Sequence, residues 1–184
     1  MATLPNTAAR TVNMRDRAPL IAPGALVIGA MLGMAGTFAS STSLRGLLWG
    51  LDGIALVIAT ALLAVHHFRR GNDVVAAGFL VFVAAETLIL AGAAMDLAAS
   101  SPLFAAGAGL WAASLGLVSW PTVMPSWLRI VAALATLLFA IVAVQVFVGR
   151  SLTPLSRPLP VFAYPFLAAT LVGWAWVHYR NADQ

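Results

Sequence analysis

Residues 74–98 read VVAAGFLVFVAAETLILAGAAMDLA. In this run only Glu86 and Asp96 carry charge. An α-helix rises 1.5 Å per residue, so about 20 apolar residues cross the roughly 30 Å hydrocarbon core of a bilayer. The stretch is long enough to do so and too apolar to be a surface helix of a water-soluble domain. Five more stretches of the same kind lie at 21–39, 46–67, 103–119, 127–148 and 160–178. The expected fold class is all-α: a polytopic integral membrane protein, a six-helix transmembrane bundle over residues 21–180, with tails at 1–20 and 181–184.

Composition supports this reading over the whole chain of 184 residues. Hydrophobic residues make up 61 % and charged residues 9 %, against about 45–50 % and about 25 % in ordinary soluble domains. Such a chain cannot cover a globule with polar surface. Residues 21–39 follow an Arg-bearing segment as a secretory leader would, but the run is long for a leader and is read as the first membrane helix. Prolines gather between the runs, where a missing N–H costs least. Pro19 and Pro23 are expected to precede helix 1, and Pro165, inside the sixth run, to bend it.

Two absences limit the chemistry. There is no Cys, which removes disulfides, thiolate metal sites and Cys nucleophiles. All ten basic residues are Arg, which removes Schiff-base lysines, the phosphate-binding loop lysine and Ser–Lys dyads. The formal charge of +4 is spread along the chain without a basic block, so no nucleic-acid partner is expected and the arginines are read as topology signals. With the N-terminus inside, seven arginines (Arg10, Arg15, Arg17, Arg69, Arg70, Arg129, Arg180) lie inside and three (Arg45, Arg150, Arg157) outside, which places both termini in the cytoplasm. Trp120, Trp127, Trp174, Trp176 and Tyr179 would form an aromatic belt at that inner face. The Pro-rich segment 149–159 is expected to be extended, with local partners for Arg150 and Arg157. The Ala-rich, Lys-free composition suggests a GC-rich bacterial genome, hence the inner membrane.

Ionisable groups within membrane spans are costly and are candidate functional sites. Arg45, Asp52, Ala59 and His66 recur at seven-residue steps on one stripe of helix 2. Helix 3 adds Glu86 near mid-membrane and Asp96 near its outer end, and helix 5 adds Gln145. Glu86, Asp52, Asp96, His66, Arg45 and Gln145 are therefore the candidate intramembrane polar or proton site, ordered His66, Glu86, Asp52, Asp96 from inside to outside. Apolar neighbours of Glu86 favour a neutral carboxyl. The structural alternative has Asp52 paired with Arg45, Arg150 or Arg157 and Glu86 hydrogen-bonded to another helix. His66, His67 and His178, with Arg69 and Arg70, form a second group at the inner rim. Histidines from facing helices could ligate haem, and the rim suits anionic lipid headgroups or a quinone. Generic interface anchoring accounts for the same residues, and no metal site is expected. Small residues at four-residue spacing make Gly29, Gly33, Gly46, Gly50, Gly109 and Gly116 a candidate helix-docking face, used within the bundle or by another membrane protein.

No motif names a reaction. The Gly-x-Gly-Asp of intramembrane aspartyl proteases and the Gly-x-Ser-Gly of rhomboid-like proteases are both missing. The leading expectation is a non-catalytic accessory or structural subunit of a larger membrane complex. The alternatives are a small proton-coupled transporter or channel using Glu86 and Asp52, and a haem- or quinone-binding redox membrane protein.

Overall fold

The computed structural model describes residues 18–182. The expected N-terminal tail, with Arg10, Arg15 and Arg17, falls outside the described residues, as do residues 183–184. The described chain is all-helical: α1 (Ala18–Phe38), α2 (Thr42–Arg69), α3 (Asp73–Ala93), α4 (Ser101–Ser119), α5 (Ser126–Phe147) and α6 (Tyr164–Ala182). Helices α1 to α5 are long and apolar enough to cross a membrane. Helix α6 is not among them, and its last turn is polar, running His178-Tyr179-Arg180-Asn181.

Each helix packs against its neighbours in sequence, and α6 returns to pack against α1. The six helices thus close into a ring. Side-chain pairings fix the sense of each neighbouring pair. Gly29 faces Leu56 and Gly36 faces Trp49 between α1 and α2, while Gly78 faces Val118 and Gly107 faces Ile89 between α3 and α4. All successive helices therefore run antiparallel. The connections after α1, α3 and α5 lie at one end, called here the Pro154 end. The α2–α3 and α4–α5 connections and the end of α6 lie at the other, the His67 end.

The ring is apolar on both faces. Outward residues such as Met31, Phe68, Ile130 and Phe147 are exposed, each by more than 60 %, which suits a surface solvated by lipid. The interior holds the large fully buried rings Phe79, Phe82, Phe139 and Trp174. They form a connected aromatic series: Phe79 to Trp174 at 5.0 Å, Trp174 to Phe82 at 6.0 Å, Phe82 to Trp111 at 6.4 Å and Trp111 to Phe139 at 5.1 Å between centroids. Trp174 therefore belongs to the core and not to the expected interfacial belt. Trp120, Trp127, Trp176 and Tyr179 are exposed at the His67 end.

Four local expectations are corrected. Pro23 lies within α1, near its start, where its missing N–H removes a single helical bond. Pro165 is the second residue of α6, a position whose N–H has no helical partner, so it terminates nothing and need bend nothing. Helix α3 stops at Ala93 and not at residue 98. Beyond it the Asp96 carboxylate accepts a hydrogen bond from the Ala98 N–H at 2.9 Å, a local turn that competes with further helix. Residues 148–163 are folded back over the ring and not extended. Ser101 Oγ donates to the Leu152 carbonyl at 2.6 Å, the Tyr164 hydroxyl donates to the Pro154 carbonyl at 2.9 Å, and the Thr153 N–H donates to Ser156 Oγ at 2.9 Å.

Close helix approach decides where this fold tolerates added volume. A Cβ at Gly78 would sit 2.7 Å from Val118 Cγ2 and 3.1 Å from the Val118 backbone nitrogen, whereas one at Gly50 meets nothing within 4 Å. Gly78→Ala is expected to destabilise the protein by roughly 1–3 kcal/mol, the usual cost of overpacking, and Gly50→Ala to leave stability unchanged. Unfolding of both variants in the same detergent would show equal stabilities if α3 and α4 did not approach this closely.

Candidate functional site

The interior opens into one cavity of about 80 Å³ in the half of the ring nearer the Pro154 end. It is lined from α1, α2, α3, α4 and α6, by Met95, Leu97 and Ser100 of the α3–α4 connection and by Pro154 of the folded-back segment; α5 contributes nothing. Its walls are mostly apolar, with Leu56, Ile89, Phe104, Leu167 and Leu171 among them. Among the described residues its ionisable groups are Asp52, Glu86 and Tyr164, and no Arg or His lines it.

Glu86 reaches the cavity from α3 and is 1 % exposed. The Trp111 indole Nε1–H donates to its Oε1 at 2.8 Å from α4. This is the neighbouring-helix hydrogen bond that the structural reading of Glu86 requires. Asp52 enters from α2 and is half-buried, but its Oδ1 is fully enclosed and has no hydrogen-bond partner. The glycines of α1 make room for it: a Cβ at Gly33 would lie 3.1 Å from Asp52 Cγ, and one at Gly29 3.2 Å from Asp52 Oδ1. Two carboxyl groups thus share an apolar space with no basic side chain to offset them. Isolated buried charges are costly, so such groups are neutral, paired or engaged with a cation.

Among the described residues Asp52 has no ion-pair partner, where the structural reading expected one. Arg45 turns away: its Nη2 donates to the Ala39 carbonyl at 2.7 Å, its guanidinium carbon lies 6.0 Å from the Trp49 ring centre, and its Nε is buried without a partner. Arg150 and Arg157 are exposed in the α5–α6 segment. The remaining candidates are dispersed. Asp96 is exposed in the α3–α4 connection, Gln145 lies half-buried on α5, and His66 lies near the far end of α2; none lines the cavity. Trp111 and Tyr164, which complete the site, were not singled out from sequence, because a Trp within an apolar run and a Tyr at its edge look like packing and anchoring residues.

At the His67 end, His67 and His178 are 4 % and 7 % exposed, and their Nε2 atoms lie 2.9 Å apart. His178 Nδ1 is 2.6 Å from the Trp174 carbonyl oxygen, and Asn72 Nδ2 is 3.5 Å from His67 Nδ1. Asn72 is placed by the end of α2. Gly71, at φ 71°, turns the chain so that the Gly71 N–H reaches the Phe68 carbonyl and the Asn72 N–H the His67 carbonyl. His66 is half-buried beside the pair, its ring centre 5.3 Å from His67 and 5.9 Å from His178. Among the described residues no group of His, Asp and Glu has metal-holding geometry. Two metal–nitrogen bonds in line need about 4 Å between nitrogens, so His67 and His178 as placed do not bracket a haem iron. Arg69 and Arg70 are exposed at this rim; Arg180 stacks 4.8 Å over the Trp176 ring, and Arg129 donates to the Ser119 and Trp120 carbonyls that end α4.

The six candidate docking glycines separate. Gly29 and Gly33 face α2, while Gly109 and Gly116 face Ala143 and Thr136 of α5; Gly46 and Gly50 meet nothing within 4 Å.

The indole bond to Glu86 yields a test. Trp111→Phe leaves a buried carboxyl oxygen without its donor and is expected to cost about 1–3 kcal/mol. Adding Glu86→Leu to that background should recover most of the loss. Equal stability of Trp111→Phe and the parent chain would show that Glu86 does not depend on the indole.

No protein-family model matches the chain, and no curated protein or solved structure matches it either. The chemistry of these side chains is therefore the guide to function.

Proposed function

We propose that the protein is a small proton-coupled transporter or channel, with Asp52 and Glu86 as the site that takes up a cation or a proton. The observation that carries the reading is a cavity inside a helical ring that holds two carboxyl groups and no basic residue. A carboxyl in such a place can exchange its proton for another positive charge, because either one removes the cost of an uncompensated negative charge. Size limits the solute. An apolar cavity of about 150 Å³ holds a benzene ring, and this one is about 80 Å³. A small inorganic or ammonium-type cation with a few waters fits; a drug-sized molecule does not. In this reading all six helices cross the inner membrane of a bacterium, and the Arg balance sets both termini and the His67 end on the cytoplasmic side, where Arg69, Arg70 and Arg180 meet anionic headgroups.

A second reading, an accessory subunit of a larger membrane complex, is supported by the outer face of α2. There Gly46 and Gly50 lie open between the exposed Leu44, Leu47, Leu51 and Ile54, a surface that admits close approach by another helix.

The purified chain in vesicles containing a pH-sensitive dye separates the two. Imposed sodium, potassium, ammonium or proton gradients should produce flux, and Glu86→Gln and Asp52→Asn should each lower it at least about tenfold, the effect of about 1.4 kcal/mol on a rate, with the fold retained. Absence of flux for all four ions would sink the transport reading. A large stoichiometric complex in mild detergent from the source membrane would then favour the subunit reading.

A further inference from the structure

The chain contains three histidines, and two of them are buried against each other at the end of the ring away from the cavity. For two neutral rings their hydrogen bonds leave one proton arrangement. A carbonyl oxygen only accepts, so His178 Nδ1 carries a hydrogen toward the Trp174 carbonyl at 2.6 Å. A neutral imidazole has one N–H, so His178 Nε2 is then an acceptor. His67 Nε2, 2.9 Å away, must be the donor to it. That leaves the His67 Nδ1 lone pair to accept from Asn72 Nδ2. Two neutral rings are thus of opposite tautomers, in a chain of bonds running from Asn72 through His67 and His178 to Trp174.

We infer that His67 and His178 form a one-proton site, loaded from the Asn72 side and closed beyond His178. The only lone pair in the pair not engaged by another imidazole is His67 Nδ1, so an added proton enters there. The Nε2 proton of His67 then crosses to His178 Nε2. His178 becomes the imidazolium, donating to the Trp174 carbonyl and to His67 Nε2. His67 is left neutral with its hydrogen on Nδ1, facing an Asn72 amide turned to present its oxygen. One proton has been added, and no hydrogen bond has been lost. A second proton would place N–H on both Nε2 atoms and break the bond between the rings.

The surroundings agree with a capacity of one. Among the described residues, the positive or ionisable groups beside the pair are His66 and Arg70, at the end of α2. Helix α3 presents Phe79, stacked 5.6 Å from His67, and α6 presents Trp174; neither can take the proton onward. The bond also ties α2 to α6, which are not neighbours in the ring, so a doubly protonated pair would release a tie across this end.

The test uses the full chain labelled with nitrogen-15 histidine in lipid nanodiscs, with His66→Gln assigning signals by subtraction. In alkaline samples His67 should carry its hydrogen on Nε2 and His178 on Nδ1. On acidification both rings should respond at one shared midpoint, with one proton gained per pair before any second is taken. His178→Gln should convert this into a simple titration of His67 alone. Matching tautomers, an imidazolium already present in the alkaline sample, or separate midpoints for the two rings would overturn the inference. If His178→Gln does not fold, the tautomers of the His66→Gln protein decide the matter alone. Glu86→Gln should change none of these signals, so the cavity and the histidine pair stand or fall separately.

Discussion

Hydrocarbon offers no hydrogen bonds, and the rest of this structure follows from that constraint. Backbone groups are satisfied within helices, and polar side chains that enter the span must find partners inside the ring. Threonines bond back to their own helix: Thr60 to Leu56, Thr136 to Ala132 and Thr170 to Phe166. Glu86 takes the Trp111 indole, and the two buried histidines take each other. Arg45 Nε, Ser114 Oγ, Ser119 Oγ, Trp174 Nε1 and Asp52 Oδ1 are buried without partners, and of these five atoms Asp52 Oδ1 is the one that belongs to a carboxyl lining the cavity. A bound cation or proton at Asp52 would relieve the cost of that unmet carboxyl oxygen.

The constraint also explains what could be read from sequence. Lipid solvation imposes composition on every residue that faces outward, so the helices α1 to α5 were legible as apolar runs. Their ends were less so, because a single side chain decides them; Asp96 bonding to Ala98 ends α3 earlier than hydropathy suggests. Glu86 and Asp52 stood out as charges in long apolar runs. Their cavity mates did not, since Trp111 and Tyr164 carry no signal until the order of helices is known. Trp174 was misplaced for the same reason: its position in sequence suits a belt, and only the closing of α6 onto α1 puts it at the centre. The His67–His178 bond joins residues 111 positions apart. No periodicity on either helix could have revealed it.

The two ends of the ring differ in how they are closed. At the Pro154 end a folded segment covers the interior, held by bonds from Ser101 and Tyr164 to its backbone carbonyls. Tyr164 is also a lining residue of the cavity, so the cover and the site share a side chain. At the His67 end the closure is made by buried side chains of α2, α3 and α6. One end is shut by chain laid over it, and at the other a hydrogen bond joins α2 to α6.

Between them lies an aromatic layer. Phe79, Phe82 and Glu86 follow one another along α3, so a single helix face touches the histidine pair, the aromatic centre and the carboxyl site in turn. The layer of Phe79, Phe82 and Trp174 offers one polar side-chain atom, the Trp174 indole Nε1, which is buried and without a partner. An indole N–H donates but does not accept, and a relay needs a group that does both. Movement of α3 or α6, the helices that carry this layer, would reach both ends. Trp174 makes such coupling direct, since its ring packs on Phe79 and Phe82 while its carbonyl holds His178.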